Sequence, residues 1–329
     1  HFETEKVVAM EGMFQYCRSL QTLDVSNFDT RSCTDFSRMF EEVPVTELKV
    51  GKFDTSKAKS MKSMFSGMKW VRFLDVSNFN TASVTDMSYM FQDCSRVTGL
   101  ELSKFDTSNV LYMHYMFENV GSSQLDVSKF NTAKVENMMC MFSGCSATEL
   151  DLKSFDTSQV TDMYEMFQGC SYIKSLDLSS FNTKKSTDMG AMFRGCSKLE
   201  DLNIKSFDTS SVIDMYNMFT KCSELTSLDL SNFDTSRVGD MEGMFSGCTS
   251  LKSINTRSFD TSKVTDMSNM FSYCRNLQSI DISNYKTNQV YNMSLMFAYT
   301  DFKSLDLRNF NTENVRNMEG MFQNSRSLE

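Results

Sequence analysis

The sequence predicts a repeat solenoid, one small unit copied about thirteen times along 329 residues. Three observations predict it. The stretch "FDTSKVTDMSNMF" at 259–271 returns as "FDTSQVTDMYEMF" at 155–167, "FDTSSVIDMYNMF" at 207–219 and "FDTSRVGDMEGMF" at 233–245. Units begin at Phe2, Phe28, Phe53, Phe79, Phe105, Phe130, Phe155, Phe181, Phe207, Phe233, Phe259, Tyr285 and Phe310, in steps of 25 or 26 residues. Composition obeys the repeat as well. Of 27 Met, all but Met68 and Met139 sit in the two columns of M-x-x-M-F, and of 28 Phe only Phe36, Phe73 and Phe302 fall outside its two Phe columns.

The elements follow from one unit, 74–97, "LDVSNFNTASVTDMSYMFQDCSRV". Leu74 and Val76 alternate with polar residues, as in a short half-buried strand. Asn78, Asn80 and Thr81 around Phe79 are turn formers. Val84, Met87, Met90 and Phe91 fall on one face of a short helix, which Thr85 caps and Asp86 begins. C-x-x-L then returns the chain to the next strand. Such a unit closes no core alone, whereas parallel strands about 4.8 Å apart line inward Leu, Val, Phe, Met and Cys into columns, giving a rod on the order of 60 Å. Length suggests two domains, but an array that buries its core between neighbours reads as one uncapped solenoid over 1–329. Its ends fall in mid-repeat, as in a segment of a longer protein or of an assembly.

L-x-x-L-x-[LVI] followed by F-[DN]-T and M-F-x-x-C-x-x-L, with "FDTSxVTDMxxMFxxC" within it, resembles the BspA-like surface leucine-rich repeats of mycoplasma surface lipoproteins and wall-attached bacterial proteins. The resemblance covers the whole chain. It implies a leucine-rich-repeat-like solenoid at the cell surface or outside the cell, with adhesion or host-protein binding as its activity. It carries over no site residue. Two departures are local: "EEVPVTEL" at 41–48 holds the only Pro and lacks the Cys, and 118–125 is one residue short.

Net charge of −9 and a pI near 5.0 argue against nucleic acid, which needs a basic stripe to displace phosphate counterions. No polybasic patch, apolar span or charged-then-apolar leader points to direct membrane insertion. Catalysis finds no motif: the only histidines are His1 and His114, and neither a phosphate loop nor a zinc-type spacing occurs, so no enzyme and no cofactor is expected.

Three columns could carry chemistry, and each has a plainer reading. Eight of ten Cys follow the Phe of M-F by three residues and read as buried neutral thiols, because Val43, Met68 and Val120 replace them freely. The F-x-T Thr is expected to tie down its turn. The column Asp24, Lys49, Asp75, Glu101, Asp126, Asp151 and onward reads as solvated acids that raise one another's pKa unless a donor intervenes, with calcium a remote alternative.

Function is expected where units differ. The two residues inside M-x-x-M should face solvent, and most are small or polar, as at Ser268, Asn269 and Ser294. In mid-array they become Tyr89, then His114 and Tyr115 with Tyr112 nearby, then Met139 and Cys140, then Tyr164. These seven form the candidate partner-binding patch, with Trp70 and Phe73 of "MKWVRF" as a secondary candidate. The expected function is a non-enzymatic interaction scaffold binding a host or surface protein, with glycan as a second partner class. The alternative is a structural subunit stacking with itself into an extracellular filament.

Overall fold

The computed structural model describes residues 2–329, so His1 lies outside the described residues. The chain forms two compact units, one ending at Gln159 and the other Val160–Glu329, each a stack of repeats. Strands are short and parallel. β1 (Phe73–Leu74) pairs with β2 (Gly99–Leu100), β3 (Ser175–Asp177) with β4 (Asp201–Asn203), and β5 (Ser227–Asp229) with β6 (Ser253–Asn255). The register advances by one repeat each time, as in Leu176↔Leu202 and Leu228↔Ile254.

The segment expected to be a helix is instead a run of tight turns, and no α-helix occurs among the described residues. Its N–H groups take two directions in alternation. Met90, Gln92 and Cys94 bond back three residues to Met87, Tyr89 and Phe91, while Met87, Tyr89, Phe91 and Asp93 bond forward to the carbonyls of Tyr112, His114, Met116 and Glu118 in the next repeat. A helix would have kept all of these bonds within itself. The Met and Phe spacing that suggested one face of a helix therefore reflects turns that point the same residues inward.

Turning this way requires a left-handed residue at two corners per repeat. All 26 positive-φ residues of the structure, 18 non-Gly and 8 Gly, lie in just two columns: the residue before the second Met and the residue two after the following Phe. Tyr89 (φ 60) closes the Met87–Met90 turn and Asp93 (φ 56) the Phe91–Cys94 turn, the signature of a type II turn, which favours Gly or Asn there. The forward bonds make the most continuous backbone ladder. Parallel bridges link Ala9, Asp35, Ser60, Asp86, Tyr112 and Asn137 in the first unit, and Asp162, Asp188, Asp214, Asp240, Asp266, Asn292 and Asn317 in the second.

Side chains reinforce the stack between repeats. Buried F-x-T threonines clamp the following repeat instead of their own turn. Thr55 Oγ1 donates to Asn80 O at 3.0 Å and accepts from Asn80 N at 2.7 Å, and Thr183 does the same with Asp208. Cys thiols behave alike: Cys222 and Cys248 donate to Phe193 O and Phe219 O, both at 3.1 Å. Burial pushes the Cys94 and Cys248 thiols up to about 12, so they stay protonated. Cys17 departs from the expectation, being exposed. The one-residue-short return needs Gly121, where a Cβ would sit 2.1 Å from Ser95 O.

The M-F phenylalanines form the core of each unit. Phe40, Phe65, Phe91 and Phe117 stack at 5.8–5.9 Å in the first, and Phe193 lies 5.8 Å from Phe167 and 5.5 Å from Phe219 in the second. Phe193→Ala should cost about 3–5 kcal/mol. Because each repeat contacts only its neighbours, denaturant unfolding of that variant should separate the repeats on either side into two transitions, which one unchanged transition would contradict. Gly195 (φ 76) tests the corners, since its added Cβ would meet Gly169 at an ordinary 3.6 Å. Gly195→Ala should destabilise by about 1–2 kcal/mol from backbone strain alone, and Gly195→Asn by less, in urea titrations.

Candidate functional site

The corner geometry decides where the variable residues point. In the first unit Tyr89, Tyr115 and Cys140 occupy successive left-handed corners (φ 60, 60 and 54). Identical conformations one repeat apart set the two tyrosines in parallel, ring centroids 4.7 Å apart and 7° from coplanar. His114 meets Tyr89 edge-on at 5.1 Å and 87°, and lies 6.2 Å from both Tyr115 and Tyr112. Lys62 Nζ lies 6.0 Å over the Tyr89 ring, a weak cation–π contact. Six of the seven expected patch residues are thus in one unit, and four of them make a single aromatic cluster.

The cluster is more recessed than expected. Only Tyr112 is exposed, at 39%; Tyr89, His114, Tyr115 and Met139 are half-buried, and Cys140 is buried at 1%. A type II corner lays its side chain along the stack, where the neighbouring repeat covers it. Burial raises the Tyr89 and Tyr115 hydroxyl pKa values, and for Tyr115 a hydrogen bond with Cys140 raises it further. Ser268, one residue before the corner, is also covered: it is 3% exposed and donates to Asp266 Oδ1 at 2.6 Å. Tyr112 takes the place of the ladder Asp or Asn.

In the second unit Tyr164 pairs with Tyr216, two repeats on. Their hydroxyl oxygens are 2.6 Å apart over Gly190, whose added Cβ would clash with the Tyr216 ring at 2.8 Å. The sequence signal was the Gly between two Tyr in one column. Trp70 and Phe73 are exposed as expected, at 47% and 65%, and Arg96 lies 4.4 Å over the Trp70 ring.

A second feature escaped the sequence reading, the carboxylate ladder Asp162, Asp188, Asp214, Asp240 and Asp266 on consecutive parallel bridges. Each Oδ1 accepts the N–H two residues on, from Tyr164, Gly190, Tyr216, Glu242 and Ser268. Burial first, and neighbouring ladder carboxylates next, raise Asp188 and Asp240; burial raises Asp214. In the L-D column the exception that the expectation allowed is met, because a donor does intervene. Ser26, Ser128 and Ser283 lower Asp24, Asp126 and Asp281, and Arg308 lowers Asp306 to about 2. Among the described residues no group of three or more His, Cys, Asp or Glu could hold a metal ion, and no helix is long and apolar enough to cross a membrane.

A raised folded-state pKa means that these ladder acids add stability at low pH and lose it as pH rises through the folded value. Asn already fills the column at 292, where Oδ1 accepts from Ser294 N at 3.1 Å. Asp188→Asn, Asp214→Asn and Asp240→Asn together should therefore raise the urea midpoint at pH 7, with the gain shrinking as pH falls towards 4. A gain independent of pH would show that the cost of holding these acids in their charged form is not the cause.

The comparisons with known proteins give a family and a fold. A family model described as "Mycoplasma protein of unknown function, DUF285" matches four times, over residues 1–73, 69–176, 161–258 and 250–329. A leucine-rich repeat protein from Eubacterium ventriosum ATCC 27560 is similar in structure at 15% identity and TM-score 0.54, covering 94% of this chain and 79% of that one. Another, from Bacteroides ovatus ATCC 8483, is 15% identical with TM-score 0.46 over 87% of this chain, which spans 58% of that protein's length. No curated protein sequence matches.

Proposed function

From the premise that the chain belongs to the family described as Mycoplasma protein of unknown function, DUF285, and has the leucine-rich-repeat fold, we propose that it is a non-enzymatic interaction scaffold of the BspA-like surface type, displayed outside the cell to bind protein. One observation carries the reading. The Tyr89, Tyr112, His114 and Tyr115 cluster concentrates aromatic rings on one face of a polar array, held by ring stacking and by fixed backbone corners. Tyr suits such a face because its ring buries apolar area while its hydroxyl keeps a polar handle, and interface cores are enriched in it. Rigid rings also lose little side-chain entropy on binding.

The test exchanges the cluster for residues that the same columns carry elsewhere. Asn217 and Asn269 occupy the corner column with φ 55 and 59, and Asp the ladder column, so Tyr89→Asn, Tyr115→Asn and Tyr112→Asp preserve the backbone. Adhesion of the purified chain to intact host-cell surfaces should fall at least roughly tenfold in the triple variant, a loss of more than about 1.4 kcal/mol. Protease treatment of the cells should abolish adhesion of the parent chain. Asn269→Ser serves as the matched control and should bind as the parent does. Adhesion equal in parent and triple variant would remove the cluster from the interaction.

A further inference from the structure

The repeat at 49–73 has a charge of its own, which corrects the expectation that the chain holds no polybasic patch, because the net charge of −9 averages over repeats of opposite sign. It carries seven Lys or Arg (Lys49, Lys52, Lys57, Lys59, Lys62, Lys69 and Arg72) against Asp54 alone, a local +6 in a chain of net −9. The repeat before it, 23–48, has two basic and six acidic residues, and the one after it, 74–99, one and three. No ion pair is formed by any of the seven among the described residues. Evenly mixed surface charge would have paired or diluted them, and an unpaired collar of this kind raises the local concentration of anions.

Two features give the collar a shape. At one edge, Arg96 lies over the Trp70 indole ring at 4.4 Å with Trp70 still 47% exposed, and Lys69 and Arg72 stand one residue before and two after Trp70 in the sequence. Beside it runs a groove of about 1000 Å³ along the strand side of three successive repeats, with Phe73, 65% exposed, in its wall. The Phe73 ring rests against Gly99, where an added Cβ would meet it at 3.7 Å. The groove's other groups are of both signs. Gln21, Thr22 and Thr46 line it together with Lys49 and Lys52 and with Asp24, Glu47 and Asp75. The Asp24 carboxyl is held low first by Ser26 and then by Lys49 and Lys52.

We propose that this groove and edge bind an acidic polysaccharide, its neutral hydroxyl-bearing rings in the groove and its carboxylates on Lys69, Arg72 and Arg96. A sugar hydroxyl both donates and accepts, so it uses the acids and the amines of one wall together, whereas an acidic peptide would be repelled by Asp24, Glu47 and Asp75. Exposed Trp70 and Phe73 offer flat apolar faces for the C–H faces of sugar rings. Nucleic acid fits poorly, because its affinity comes from many phosphate contacts along a basic stripe, and here a single repeat about 4.8 Å thick is flanked by acidic ones. The site is separate from the Tyr89 cluster and stands or falls independently of it.

Binding is measured by calorimetry with hyaluronan oligosaccharides as the carboxylated probe, dextran as the neutral one and single-stranded oligothymidylate as the phosphate one. Lys69→Ser, Arg72→Thr and Arg96→Ser together install residues found in the same columns at Ser95, Thr98 and Ser250; Trp70→Ser with Phe73→Ser follows Ser250 and Ser253. Hyaluronan should bind with an affinity that falls as salt rises, and dextran should bind far more weakly. The cation variant should lose roughly tenfold and flatten the salt dependence, as expected for removed ionic contacts. The aromatic variant should lose affinity while keeping the salt slope. Each variant's urea midpoint checks that it is folded. No hyaluronan binding, unchanged binding by both folded variants, or oligothymidylate binding as tightly through the same residues would overturn the proposal.

Discussion

Half of the backbone in each repeat's arc cannot satisfy itself. Met87, Tyr89, Phe91 and Asp93 send their N–H groups along the stack, and only the carbonyls of the next repeat receive them. An unpaired buried N–H costs about 1–3 kcal/mol, so a repeat without a neighbour would leave several such penalties standing. This dependence explains why the repeats hold their register and why the strands can be as short as two or three residues. The arc ladder carries continuity that the strands do not.

The same dependence sets the chemistry of the side-chain columns. A hydroxyl or thiol one repeat away from a peptide group becomes a clamp, as Thr55 does on Asn80 and Cys222 on Phe193 O, and its reactivity is spent in the process. Carboxylates divide by what faces them. Those with Ser or Arg donors two residues on, such as Asp126 and Asp306, are held in their charged form. Those buried in the arc ladder, such as Asp188 and Asp214, resist it. Structure thus consumes most of the polar inventory, and recognition is left to the repeats that depart from the pattern.

Those departures differ in kind between two neighbouring places in the first unit. Around Tyr89 and Tyr115 aromatic rings are locked together by corner geometry and stacking. Around Trp70 and Phe73 they stand in solvent among unpaired cations. A recessed, rigid cluster favours a surface that can be matched in shape, and an exposed, charged one favours a flexible polymer that wraps its contacts. One scaffold can present both because neither interrupts the hydrogen bonds between repeats.

By itself the sequence determined the period, the inward Met and Phe columns, the burial of most of the thiols and the exposure of Trp70 and Phe73, because each is a property that recurs, or fails to recur, at a fixed spacing. It also placed Tyr89 above Tyr115, since register follows from the repeat length. What it did not determine was the conformation of M-x-x-M-F-x-x-C. Met and Phe at three- and four-residue spacing suit a helix and a turned arc equally; the choice falls to the arc because its N–H groups find partners in a neighbouring repeat, which no single repeat records. Eight Gly in the two corner columns were the legible trace of that choice. Gly190 between Tyr164 and Tyr216 in one column was a trace of their pairing, but the contact of their hydroxyls and the proton affinity of the Asp ladder were decided by tertiary structure, since both depend on which side chains lie one and two repeats away and how far water is kept from them.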